Sequence, residues 1–228
     1  MRIDMRQKAL FIICLWSAMV VFSSEFRCDF VSGKWSRSDW VLLKSPRWDY
    51  FGDWIQKIDH IENCVPAKAT PEELLKKYSA QTYSCMLWKT LLKTTKPVEI
   101  HSRMSFDDRM APLIVLSGVY GKDLKNRPEL REHWEVVLYD KGLNIWHHEY
   151  KDGKPCWYLA AALQATFKAN VVYDVQVRMQ KVKNNIRMEV FCADQKLTYT
   201  SRDFPASFYV GITGCEGLNR FYDFGVKY

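Results

Sequence analysis

The feature that most narrows what this chain can become is the alternation of apolar and polar residues over its C-terminal half. In Val171-Val172-Tyr173-Asp174-Val175-Gln176-Val177-Arg178-Met179 the odd positions are apolar. After Lys183-Asn184-Asn185, the run Ile186-Arg187-Met188-Glu189-Val190-Phe191-Cys192 carries its apolar residues on even positions. A period of two sends alternate side chains to opposite faces of a strand, so each run reads as a half-buried β-strand, and the two together as a hairpin with an Asn-rich turn. Val98 to Phe106 repeats the pattern, with Glu99, His101, Arg103 and Ser105 on its polar face. Phe208 to Ile212 and Arg220 to Val226 supply further strands on either side of a Gly-containing loop, Thr213 to Asn219. Only Thr70 to Tyr78 reads as helix: Thr70 is an N-cap, Pro71 suits the first helical position and Glu73 completes a capping box. Trp35 to Pro66 reads as one or two strands plus a long loop. Strands at this spacing with one short surface helix predict an all-β fold, an antiparallel two-sheet β-sandwich or jelly roll.

The N-terminus has its own signature. A charged start at Arg2, Arg6 and Lys8 is followed by an apolar run from Ala9 to Phe22 and by Ser23 and Ser24, the layout of a secretory signal peptide cleaved after Ser23. The run is interrupted by Ser17 and falls short of the roughly 20 apolar residues that a spanning helix needs. The expected organisation is a signal peptide at 1–23 and a single domain at 24–228, secreted or periplasmic, with no membrane span after cleavage. The formal charge of +7 includes a net +2 from Arg2, Arg6 and Lys8 against Asp4, so +5 remains on the mature chain. That modest excess suits acidic partners such as uronic or sulfated sugars, while interspersed Lys and Glu make an ordinary soluble surface the plainer reading. Nothing resembles a polybasic nucleic-acid arm. Beyond Cys14 lie Cys28, Cys64, Cys85, Cys156, Cys192 and Cys215. Six cysteines in an exported chain allow up to three disulfides in 15 pairings, and buried free thiols are an equal alternative. No Cys-x-x-Cys or His-x-x-x-His pair marks a zinc site.

The succession Tyr173 to Arg178, Ile186 to Phe191, Phe208 to Ile212 and Phe221 to Val226 resembles the end of concanavalin A-like lectin/glucanase domains, over roughly residues 133 to 228. The resemblance implies a jelly roll and a carbohydrate ligand without implying catalysis, because the superfamily contains lectins, laminin-G-like modules, glycoside hydrolases and polysaccharide lyases. The Glu-x-Asp-x-x-Glu pattern of laminarinase-like hydrolases is absent. Glu129-Leu130-Arg131-Glu132 is only loosely similar to the Arg-rich strand of alginate lyases, and His101 precedes it, the reverse of that family's order. The catalytic residues of neither family carry over.

The densest functional composition runs from His133 to Tyr150 and reads as a hairpin turning at Asp140-Lys141-Gly142. Two registers are open. If Tyr139 opposes Leu143, Glu135 faces His147 and His133 faces Glu149. If Asp140 opposes Leu143, Glu135 faces His148 and His133 faces Tyr150. The second is favoured because it gathers Trp134, Val136, Leu138, Leu143 and Ile145 on one apolar face and leaves His133, Glu135, Tyr139, Asn144, Trp146, His148 and Tyr150 on the other. Such a face suits a poly- or oligosaccharide: sugar C–H faces pack on aromatic rings, and carboxylate, imidazole and amide groups satisfy hydroxyls. Trp146, Tyr150, Asn144 and Tyr139 are the expected sugar contacts, with His101 and Arg103 joining if their strand lies alongside. A carboxylate beside imidazole can also perform acid or base work, which makes Glu135, His148 and His133 the catalytic candidates of a glycoside hydrolase or polysaccharide lyase, with Glu149 as a second carboxylate. The competing class is a non-catalytic structural or interaction module, in which both tryptophans are core and the charged pairs are cross-strand contacts. No cofactor or metal site is expected beyond a structural calcium ion that Asp107 and Asp108 would serve, though adjacent acids also simply form turns. Asp59-His60-Ile61-Glu62 reads as a solvated polar strand face in preference to a second ligand-facing strand.

Overall fold

The computed structural model describes residues 24–108 and 112–228; the leader read at 1–23 lies outside them. The strands in chain order are β1 (Glu25–Asp29), β2 (Trp40–Leu43), β3 (Trp54–Gln56), β4 (Ile61–Asn63), β5 (Ser84–Trp88), β6 (Leu92–Lys93), β7 (Val98–Phe106), β8 (Pro112–Ser117), β9 (Tyr120–Lys122) and β10 (Pro128–Leu130). They continue as β11 (His133–Tyr139), β12 (Gly142–Lys151), β13 (Lys154–Gln164), β14 (Tyr173–Val182), β15 (Asn185–Cys192), β16 (Gln195–Ser201), β17 (Ser207–Gly214), β18 (Asn219–Phe221) and β19 (Asp223–Lys227). One sheet runs β16-β15-β14-β7-β18-β4-β3, with β19 also on β7 and β1 on β19. The second runs β13-β12-β11-β8-β17-β5-β2, with β6 beside β17. Every strand pair is antiparallel, and β9 and β10 form a separate ribbon.

The alternating strands pack as their sequence requires. Ile100, Met104, Val175, Val177, Met188 and Val190 of the first sheet meet Ile114, Leu116, Trp134, Val136, Ile145 and Ile212 of the second, all buried in one core. The β14–β15 turn is tighter than expected, because Val182 pairs with Asn185 and leaves only Lys183 and Asn184 in the loop. Arg220 to Val226 divides at Tyr222 into β18 and β19, and Trp35 to Pro66 yields three short strands after a 3-10 turn at Arg37–Asp39. α1 (Pro71–Lys76) carries the predicted capping box in full, with Thr70 and Glu73 exchanging hydrogen bonds; a one-turn α2 (Ser79–Thr82) follows. No helix among the described residues is long and apolar enough to cross a membrane.

In β5 and β8 every residue is buried, including both faces of Pro112–Ser117. The reason is a cover on the outer face of the second sheet. Leu43, Tyr83, Cys85, Leu87, Val115 and Leu130 form a second apolar cluster beneath Trp48, Tyr50 and Tyr120. The segment between β2 and β3 thus crosses the sheet surface and carries Arg47 with it.

All six described cysteines are free. Burial pushes the thiols of Cys28, Cys85 and Cys192 up to about 12, so they stay protonated and unreactive at neutral pH. Cys64 is exposed. Brief alkylation of the native protein followed by peptide mapping is expected to modify Cys64 and leave those three until denaturant is added. Native-state labelling of Cys85 would contradict the packing described.

Candidate functional site

The site grows from the β11–β12 hairpin. Its turn has two residues, Asp140 and Lys141, because Tyr139 pairs with Gly142, and the register continues as Glu135 with Trp146, Trp134 with His147 and His133 with His148. Both expected registers are therefore corrected. The pairing differs by two residues from the favoured one, and a shift of two preserves the faces, so the division into an apolar and a polar aromatic face stands while every cross-strand partner changes. Glu135 sits opposite Trp146 rather than a histidine. Its side chain reaches diagonally across to His148, with Oε2 2.9 Å from Nε2, and along its own strand to His133, with Oε1 3.5 Å from Nε2.

These three side chains form a compact group. The His133 and His148 rings stack with centroids 4.3 Å apart and planes 12° apart. His133 Nδ1–H donates to the Arg131 carbonyl at 2.6 Å, which directs Nε2 toward Glu135. Relative exposures of 1% for His133, 8% for Glu135 and 6% for His148 place the group beneath the surface. Burial works against ionisation of Glu135, but its contacts with the imidazoles of His148 and His133 outweigh it and hold the carboxyl well below the usual carboxylate range. Burial also lowers the pKa of His133.

Above Glu135 and His148 opens a cavity of about 230 Å³, also lined by Arg47, Trp146, Trp157 and Glu216. Arg47 comes from the covering segment, and its guanidinium lies 4.3 Å from the Trp48 ring centroid and 4.4 Å from that of Trp157. Trp157, on edge strand β13, is 45% exposed and its ring lies near-parallel to that of His148. Glu216 stands in the loop after β17 at φ +58, a left-handed conformation costing a non-glycine residue about 1–3 kcal/mol and concentrated at functional sites. Burial raises its pKa. The cavity thus sets a carboxylate held ionised, Glu135, against a carboxyl that keeps its proton more readily, Glu216.

Of the expected sugar contacts, Trp146 lines this cavity. Tyr139, Asn144 and Tyr150 share its face but lie outside it: Tyr139 flanks the hairpin turn, Asn144 is buried, and Tyr150 contacts Arg131 and Glu129. His101 and Arg103 do not join. Their strand, β7, belongs to the other sheet, where Arg103 pairs with Asp223. His147 and Glu149 point to the opposite side of β12 from Glu135. His147 packs on Trp134 between the hydroxyl of Tyr158 and the carboxylate of Glu132, and Glu149 pairs with Lys151. Asp107 accepts from the Leu218 backbone N–H and ties down a loop. Asp59 to Glu62 borders a larger hollow of about 600 Å³, but its charged groups pair with one another, Lys57 with Glu62 and His60 with Asp59. Sequence reasoning missed Arg47, Trp157 and Glu216 because each reaches the cavity from a different segment.

No family model matches the chain, and no curated protein matches it in sequence. Solved structures do. Lectin II from Ulex europaeus superposes with a TM-score of 0.54 at 9% identity, covering 91% of this chain and 99% of the lectin. A family 16 glycoside hydrolase endo-glucanase from Bacteroides ovatus gives 0.54 at 10% identity over 88% of this chain and 99% of the enzyme. The fold is the concanavalin A-like jelly roll. The carbohydrate-binding module CBM66 from Bacillus subtilis shares this jelly roll at a TM-score of 0.52 and 10% identity, covering 80% of this chain and 91% of the module. At these identities the likeness concerns the jelly roll itself, and the residues of the cavity stand on their own geometry.

Proposed function

We propose that this chain is an exported carbohydrate-recognition protein, with residues 1–23 as its signal peptide, which takes an acidic sugar residue into the cavity between Trp146 and Trp157. The observation that carries the reading is the placement of Arg47. Its guanidinium is held between two indole rings at a cavity floored by Glu135 and His148, where it can meet a sugar carboxylate while the floor groups accept and donate to hydroxyls. A volume of about 230 Å³ is below the roughly 300–1,000 Å³ of drug-sized sites, which suits one sugar ring or a chain end. Lectins, a carbohydrate-binding module and a glucanase sharing the jelly roll support the ligand class.

The test is calorimetric titration of the mature protein with neutral, uronic and sulfated oligosaccharides, with chromatography of any shortened products. Uronic oligosaccharides are expected to bind, and Arg47→Ala and Trp157→Ala to weaken them by about 2 kcal/mol each, roughly thirtyfold. Shortened products would add turnover to recognition. Binding to no member of the panel, or undiminished binding by both variants, would sink the assignment.

A further inference from the structure

We propose that His133, Glu135 and His148 bind a first-row divalent metal ion of the zinc class, with an open coordination position facing the cavity. The ligand-bearing atoms of the three residues all lie within 4.8 Å of one another. Zinc–nitrogen bonds of about 2.0–2.1 Å in tetrahedral geometry place neighbouring donors roughly 3.3–3.5 Å apart. The carboxylate-to-imidazole separations here, 2.9 Å from Oε2 to His148 and 3.5 Å from Oε1 to His133, lie close to that spacing, with one imidazole at each carboxylate oxygen.

The outer contacts point the same way. A backbone carbonyl only accepts, so the 2.6 Å contact from His133 Nδ1 to the Arg131 carbonyl puts the hydrogen on Nδ1 and, in the neutral ring, leaves a lone pair on Nε2. That lone pair faces a buried carboxylate oxygen, an arrangement that a cation between them relieves. A histidine whose far nitrogen donates to a carbonyl is also the usual support of a metal-bound imidazole. Two imidazoles and one carboxylate suit zinc and its neighbours, whereas calcium and magnesium require oxygen donors throughout. Three protein donors leave a position free, and because Glu135 and His148 line the cavity, that position opens where Arg47 and Trp146 also face. An oxygen of the bound ligand is its natural occupant, an extension that rests on the carbohydrate reading; the metal site itself does not.

Tag-free mature protein stripped with EDTA should take up one Zn2+ per chain by calorimetry, bind Co2+ with visible absorption, and ignore Ca2+ and Mg2+ at equal concentration. Glu135→Gln and His148→Ala should each weaken Zn2+ by roughly a hundredfold or more, since even outer contacts contribute 10- to 100-fold. His101→Ala, on the other sheet, should leave it unchanged. X-ray absorption of the Zn2+-loaded wild type should show two imidazoles, a readout that does not depend on any variant folding. Failure to take up Zn2+, equal affinity in Glu135→Gln and His148→Ala, or loss in His101→Ala would overturn the site. Zn2+ uptake without sugar binding would remove the carbohydrate reading alone, whereas sugar binding by a protein that takes up no Zn2+ would remove the metal alone.

Discussion

Replacing Trp134 by alanine is expected to destabilise the protein by about 3–5 kcal/mol, the range for deleting a buried aromatic ring. The indole is fully buried in the core between the sheets, stacked on His147 at 4.1 Å and packed against Phe204 at 4.8 Å. Neighbours fixed in β-ladders on both sides cannot collapse into the space it leaves. A loss of that size is a large share of the roughly 5–15 kcal/mol by which domains are stable, so guanidinium titration should show a markedly lower midpoint. Trp134→Phe should cost much less, because it keeps most of the ring and removes an indole N–H that has no partner. Trp146→Ala, on the cavity side and partly exposed, should alter stability least of the three. Comparable losses at Trp134 and Trp146 would contradict the assignment of faces.

Gly142→Ala is expected to cost about 3 kcal/mol or more and to loosen the hairpin that carries Glu135 and His148. Gly142 has φ +147, a conformation essentially closed to L side chains and costing about 1–3 kcal/mol when imposed. A Cβ there would also be driven into the Leu163 carbonyl oxygen on β13, and overpacking against a backbone that cannot rotate away adds about 1–3 kcal/mol. Circular dichroism melts measure the stability loss. Hydrogen exchange should show faster exchange along β11 to β13 than along β14 to β16. Uniform exchange across both sheets, or an unchanged melting temperature, would refute the role of this turn.

The hairpin shows how far sequence reaches. Alternation placed His133, Glu135, Trp146 and His148 on one face, because the opposite parity would set Trp134, Val136 and Leu138 beside His148, Trp146 and Asn144 and mix the apolar face with the polar one. It left the register open, because registers two residues apart share the same faces, and the choice fell to the turn geometry at Gly142 and to the neighbouring strand β13. Glu135 meets His148 diagonally across the hairpin and His133 two residues back on its own strand, contacts that one-to-one pairing does not reveal. His101 and Arg103 carried the right chemistry on the wrong sheet, since residue type does not say which strands become neighbours.

By itself, the sequence determined the all-β class, the C-terminal strands and their inward faces, the capped helix and the polar aromatic face, because each follows from contacts a few residues long or from the periodicity of a single strand. Only the tertiary structure decided that the segment between β2 and β3 crosses the second sheet, that Arg47, Trp157 and Glu216 converge with Glu135 and His148 on one cavity, and that every described cysteine is free. Those outcomes depend on how strands far apart in the chain are ordered within the sheets, and strand order is set by the packing of the whole core, which leaves no mark in any short stretch of residues.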